Sequence, residues 1–117
     1  MVDLYEEKHI KRKYYTVYIT FSSFEEAKKI GKAIVKNKLG VCAHIFSIDC
    51  SIYEWNDKIE EEKEYGMFVK TRYDKIKRLE DFIKENHSYE IPQILFYRIE
   101  EANDEYLNFI DNNLKEV

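Results

Sequence analysis

Hydrophobic and polar positions along the chain repeat with two different periods. Tyr14 to Phe21 (YYTVYITF) is dense in β-branched and aromatic residues and reads as a strand. Ser22-Ser23 follows, and then Phe24, Ala27, Ile30, Gly31, Ile34, Val35 and Leu39 recur at helical spacing. Ser23 with Glu26 fits a capping box at the helix start, and Gly40 marks its stop. Val41 to Trp55 is extended and too long for one flat strand, so a bulge is expected near Ser47–Ser51. Asn56-Asp57 tolerates left-handed backbone and suits a tight hairpin turn. Lys58 to Tyr73 returns as a second long strand. Ile59, Tyr65, Met67 and Val69 share one parity, and Glu60, Glu62, Glu64, Phe68, Lys70 and Arg72 share the other. This predicts a sheet with one dry and one largely polar face. Asp74 is placed to cap a helix with Ile76, Leu79, Phe82 and Ile83 as its apolar stripe. Pro92, the only proline, opens a short strand, Gln93 to Glu100. Asn103 is placed to cap a last helix with Tyr106, Leu107, Ile110 and Leu114 inward.

The order β-α-β-β-α-β-α contains the split βαβ arrangement of ferredoxin-like α+β domains, followed by an extra C-terminal helix. That predicts a four-stranded antiparallel sheet with two helices on one face. Two arms of about 15 residues, at 3.3 Å per residue, span roughly 50 Å. A domain of this size has a radius of gyration of about 13 Å. The hairpin tip must therefore project, and a projecting hairpin finds a partner strand. Closed cyclic assembly of identical chains is the economical solution.

Composition narrows the function classes. The 117 residues make one domain of 14–117 behind a charged, unpatterned extension of 1–13, which is expected to be poorly ordered. The net charge is -4 and the one basic cluster is Lys11-Arg12-Lys13, so nucleic acid is not an expected partner. No apolar run has membrane-spanning length, and Met1 to Lys13 lacks the apolar core of a signal peptide. A cytoplasmic protein is the expectation. Cys42 and Cys50 lie about 26 Å apart if both belong to one strand. A disulfide needs less than about 7 Å, so both thiols are expected to be free. Ten Tyr and seven Phe either fill strands or line subunit interfaces.

Several short stretches resemble the CutA family, the divalent-cation-tolerance proteins. Lys38-Leu39, Val41-Cys42-Ala43-His44-Ile45 and Ser51-Ile52-Tyr53-Glu54-Trp55 are similar to its Cys-bearing strand leading to Ser-Ile-Tyr-x-Trp. Lys58-Ile59-Glu60-Glu61 with Glu64 matches its Ile-x-Glu stretch, and Lys70-Thr71 its Lys-Thr. His87-Ser88-Tyr89-Glu90-Ile91-Pro92 resembles its His-Pro-Tyr-Glu-x-Pro, and Tyr106-Leu107 its closing Tyr-Leu. The resemblance runs in one register from about residue 15 to 114. It implies a homotrimer whose long hairpins pair between subunits, and binding of copper or another divalent or soft ion. The chain departs from the family pattern at His44, where Asn is usual, at Asn86, at Ser88, where Pro is usual, and at Gln93, where many members carry Glu. Copper ligands proposed in the family include the strand Cys, a His of this loop and the Glu after Pro, here replaced by the neutral Gln93.

The candidate metal set is Cys42, His87 and Glu90. Cys42 offers a soft thiolate and His87 an imidazole, both suited to copper or zinc, and Glu90 offers an oxygen. Only an assembly can bring them together. Cys42 alternatively packs as a small buried hydrophobe, and His87 alternatively caps a helix C-terminus. Cys42 and His44 share strand parity about 6.6 Å apart, a pair able to chelate a soft metal, and His44 alternatively is an ordinary exposed or hydrogen-bonded strand residue. Tyr53, Trp55, Glu61, Lys70, Tyr89 and Gln93, with Arg72, are candidates for an intersubunit cleft. Lys70 and Arg72 would let such a cleft bind a small anion or a protein partner, as a PII-like signalling trimer would, an analogy of fold only. Glycine-rich phosphate loops, nucleophile elbows, Cys-x-x-Cys and His-Glu-x-x-His are missing from the sequence, so a non-enzymatic role is expected. A Cys42–His87 hydrolytic pair is the weakest alternative.

Overall fold

The computed structural model describes residues 14–115. The expected charged extension, 1–13, lies outside them. Strands β1 (Tyr14–Phe21), β2 (Cys42–Trp55), β3 (Lys58–Arg72) and β4 (Ile94–Ile99) form one sheet in the order β2-β3-β1-β4, and all neighbours are antiparallel. Helix α1 (Phe24–Lys36) links β1 to β2. A 3₁₀ turn (Tyr73–Lys75) and helix α2 (Ile76–Asn86) link β3 to β4, and helix α3 (Asp104–Asn113) follows. This is the split βαβ topology expected from the order of elements.

The odd residues of β1 and β3 face the two crossover helices. Val17, Ile19 and Phe21 meet Met67 and Val69 from the sheet, Ala27, Ile30 and Ile34 from α1, and Leu79 and Ile83 from α2. Burying each such side chain contributes roughly 1.5–3 kcal/mol, and this one layer supplies most of the core. Helix α3 packs on the opposite face, at one end, where Ile110 and Leu114 cover Tyr14 and Val41. Arg72 anchors it: its guanidinium contacts Asp111 at 3.0 Å while donating two hydrogen bonds to Asp74, at 2.6 and 2.9 Å. Tyr14 donates to the other oxygen of Asp111 at 2.9 Å.

The β2–β3 hairpin carries a bulge between Ile48 and Ser51, as its length requires. Asn56 and Asp57 turn it with φ of 51° and 64°, the left-handed pair of a two-residue hairpin loop. The molecule extends 54 × 31 × 24 Å with a radius of gyration of 16.1 Å, above the roughly 13 Å of a compact chain this long. The outer hairpin leaves Ile52 and Ile59 about two-thirds exposed. Ile59 thus shares parity with the dry face but lies beyond the helices that make it dry.

Four expected caps are built differently. Helix α1 ends at Lys36 with Lys38, at φ 60°, in the left-handed position assigned to Gly40. Gly40 has another reason to lack a side chain. A Cβ there would sit 2.5 Å from Cγ1 of Val69 and 3.2 Å from the Lys70 carbonyl. Ser23 accepts the Glu26 amide at 3.1 Å, but Glu26 does not reach back to complete the box. Its carboxylate binds Ser88 instead, accepting from the amide at 2.9 Å and the hydroxyl at 3.0 Å. Asp74 is held by Arg72 and caps nothing, while Asn103 stands at the N-cap of α3 without a side-chain cap hydrogen bond.

Gly40→Ala is expected to cost about 1–3 kcal/mol by overpacking against a strand that cannot retreat. A drop in melting temperature of several degrees checks this. An unchanged melt would mean that the α1–β2 connection has slack the close contacts deny.

Candidate functional site

The even residues of β1 and β3 form the sheet face away from α1 and α2. Tyr18 and Phe68 are cross-strand partners there with ring centroids 5.3 Å apart, and Phe46 stacks on Phe68 at 5.3 Å. Gly66, opposite Phe46, leaves the space this ring covers. Phe46, Leu95 and Tyr97 are each more than a third exposed on this aromatic face.

Where the hairpin overhangs, this face becomes one wall of a cleft of about 800 Å³. Tyr53, Trp55, Glu60, Glu62 and Glu64 come from the hairpin, Tyr18 and Thr20 from β1, and Ser88, Tyr89, Glu90, Ile91 and Gln93 from the loop after α2. Four carboxylates line it, and no Lys or Arg does. Glu64 is only 9% exposed and accepts a 2.6 Å hydrogen bond from the Tyr89 hydroxyl. Burial and the hydrogen bond to Glu64 both raise the Tyr89 pKa above that of an ordinary phenol, with the charges of Glu64 and Glu62 adding to the effect. The Tyr53 phenol is raised chiefly by its hydrogen bond to Glu62, with the charges of Glu62, Glu64 and Glu60 adding to it. Two hydroxyls thus stay protonated in a negative field.

The loop is fixed from beneath. His87 caps α2, its Nε2 hydrogen-bonded to the Thr20 carbonyl at 2.7 Å, while its Nδ1 accepts the Tyr89 amide at 3.0 Å. Those two bonds together require the neutral Nε2–H tautomer. The ring stacks on Phe21 at 4.7 Å. Both nitrogens are engaged, so His87 serves the loop and offers no lone pair to a metal.

The sequence candidates separate accordingly. Tyr53, Trp55, Tyr89, Glu90 and Gln93 line the cleft. Glu61 has the wrong parity: it pairs with Ile52 and is exposed, while its neighbours Glu60 and Glu62 face the cleft. Lys70 lies further along β3 with its ammonium 5.7 Å from the Phe68 ring centre, and Arg72 is ion-paired to Asp74 and Asp111. Neither lines the cleft. Cys42 is opposite Lys70, and Thr20, which holds His87, is opposite Gly66. Four residues along β3 and two strands across separate Cys42 from Thr20 by roughly 16 Å. Within one chain Cys42, His87 and Glu90 therefore do not converge, and Cys42 and His87 form no catalytic pair. Among the described residues no three His, Cys, Asp or Glu side chains are grouped closely enough to hold a metal ion. The Cys42 thiol lies 3.4 Å from the Tyr106 hydroxyl, whose pKa is pushed up to about 12, first by burial and then by that contact. Cys50, at the bulge, is free and exposed. The cleft carboxylates Glu60, Glu62 and Glu64 were visible in the sequence as one parity of β3. What marked them as a site was the loop from residue 88 onward, which no local pattern brings beside them.

The fold and cleft define a small ferredoxin-like α+β domain with an overlong hairpin and an acidic groove at its base. The profile of the CutA1 divalent ion tolerance protein family matches residues 15–113, and the chain belongs to that family. It is 40% identical over 99 residues to the divalent-cation tolerance protein CutA of Archaeoglobus fulgidus, covering 85% of this chain and 96% of that protein. It is 33% identical over 93 residues to the human protein CutA, covering 80% of this chain and 52% of that longer protein. The solved structure of the periplasmic divalent cation tolerance protein CutA from Archaeoglobus fulgidus superposes with a TM-score of 0.84 at 39% identity, covering 87% and 99% of the two chains. CutA1 from Pyrococcus horikoshii gives 0.83 at 35% identity, covering 87% and 99%. Among the described residues no helix is long and apolar enough to cross a membrane.

Tyr89→Phe leaves the nearly buried Glu64 without its hydrogen-bond donor and is expected to destabilise the fold by about 1–3 kcal/mol. Denaturant unfolding of the two proteins measures the difference, and equal midpoints would contradict the role given to this bond. Tyr106 releases its proton near pH 12 when folded and near 10 when unfolded. The unfolded chain therefore binds fewer protons across that window, and stability falls as pH rises through it. Alkaline titration of Tyr106→Phe should show a smaller loss over the same range.

Proposed function

We propose that the chain acts as a homotrimer that takes up a divalent metal ion at the carboxylates of the acidic cleft. The observation that carries this reading is the cleft itself: Glu60, Glu62, Glu64 and Glu90 line one groove without a basic residue. Such a field concentrates cations and repels anions. Fewer than three metal-type ligands gather at any point among the described residues of one chain, so a neighbouring subunit would complete the coordination. The trimer is supported by the overhanging hairpin and by the apolar face on which a lone chain leaves Phe46, Leu95 and Tyr97 exposed. Copper is the ion to which the family resemblance points. An all-oxygen donor set favours harder ions such as manganese, calcium or magnesium, and copper becomes preferred only if a Cys or His joins it. This reading is of a binding protein; the Cys42–His87 hydrolytic alternative lacks support within one chain, where Cys42 has the Tyr106 hydroxyl beside it. A cytoplasmic location is part of this reading, and the two free cysteines, Cys42 and Cys50, are compatible with a reducing compartment. A PII-like anion site built on Lys70 and Arg72 has no comparable support, since neither reaches the cleft.

Calorimetric titration with manganese, calcium and copper(II) tests the reading. The parent is expected to bind at least one of them, with affinity reduced tenfold or more in the double variant Glu60→Gln, Glu62→Gln and unchanged in Cys42→Ala. Binding that survives the double variant and disappears in Cys42→Ala would move the site to the thiol. No binding by any of the three ions would refute the metal reading.

A further inference from the structure

We infer that the acidic cleft also holds a linear polyamine, with its ammonium groups on the carboxylate ladder of β3 and its methylenes against the aromatic walls. The inference rests on the cleft being a cation site and not on the ion being a metal.

Three features favour an extended organic cation. Glu60, Glu62 and Glu64 alternate along one strand face, so their Cα atoms follow one another about 6.6 Å apart, with the outer two about 13 Å apart. A ladder spread over that length disfavours all three sharing one point ion, in keeping with the lack of a three-ligand group among the described residues. It suits nitrogens separated by three or four methylenes. The walls are aromatic as well as acidic. Tyr53, Trp55 and Tyr89 line the groove beside the carboxylates, and an alkylammonium is attracted to carboxylates and aromatic rings alike. A hydrated metal ion makes little use of indole or phenol faces.

Glu64 supplies a third, independent indication. It is nine-tenths buried and points into the cleft, and its one hydrogen-bond partner among the described residues is the neutral Tyr89 hydroxyl. Buried carboxylates are otherwise found with a counter-charge. No basic side chain of the same chain lines the cleft to supply it, and a terminal ammonium beside Glu64 would do so while the rest of the amine follows the ladder outward past Glu62 to Glu60. The groove of about 800 Å³ far exceeds the needs of one ion and accommodates such a chain.

Isothermal titration of the full-length protein with spermine, spermidine and putrescine, at constant ionic strength and with magnesium chloride as the reference cation, tests this. Saturable binding is expected, tightening from diamine to tetramine, stronger than that of magnesium, and weakened tenfold or more by Glu62→Gln and by Trp55→Leu. Both side chains are exposed in the single chain, the native mass of each variant checks that its assembly is kept, and Glu60→Gln gives a further arm at the outer end of the ladder. The inference is overturned if the amines do not saturate, or if Trp55→Leu binds them as the parent does, since loose counterion exchange ignores the indole. Metal titrations of the same variants separate the two readings. Loss of amine binding alone in Trp55→Leu supports an amine site beside the metal reading. Metal binding without any amine binding defeats this inference and leaves the proposed function standing.

Discussion

Two strands of fourteen and fifteen residues joined by a two-residue turn are longer than the body that should cover them. Helices α1 and α2, of thirteen and eleven residues, reach only the inner half of this hairpin. Core residues such as Met67 and Val69 stop where those helices stop, and beyond Glu64 toward the turn every residue of β3 except the half-buried Glu60 is exposed. A two-stranded ribbon in water is marginal on its own. The bulge between Ile48 and Ser51 interrupts the ladder where the outer half begins, and bulges increase local twist. The main consequences of the fold follow from this mismatch. The tip needs a partner, the aromatic face at its base is left open, and the overhang makes a cleft where a compact domain would have a flat sheet.

Electrostatics are divided between the two ends of that face. At one end Arg72 ties Asp74 and Asp111 together and fixes α3. The bidentate contact lowers the Asp74 pKa and raises that of the guanidinium. At the other end the carboxylates of the cleft have phenols beside them and no basic side chain. One end is satisfied internally and serves the fold. The other is arranged to receive positive charge from outside. His87, Ser88 and Glu26 belong to neither and act as the fastening that holds the loop in place, so that Tyr89 and Glu90 stand opposite the hairpin.

Local chemistry was legible in the sequence and long-range chemistry was not. Alternation and helical spacing located the four strands and three α-helices of the described residues. The Asn56-Asp57 turn and the bulge followed from residue type and strand length. Caps were less legible because a cap is a competition: Asp74 had a better partner in Arg72, and Glu26 in Ser88, 62 residues away. His87 resembled a ligand because its motif and its place after a helix said nothing of Thr20, to which its Nε2 binds. Glu61 lay inside a recognisable motif, but period-two parity turned its two neighbours into the cleft. Lys70 and Arg72 share the parity of the cleft carboxylates, and Lys70 also belongs to a recognisable motif, but distance along the strand separates both from the cleft.

The most direct test of this account is sedimentation equilibrium of the full chain over a wide range of concentration. The account predicts a mass three times that of the chain, dissociating only on strong dilution. A monomeric mass at all concentrations, with the hairpin amides still protected from hydrogen exchange, would show that the overhanging strands are stable without a partner and would remove the premise on which the assembly rests.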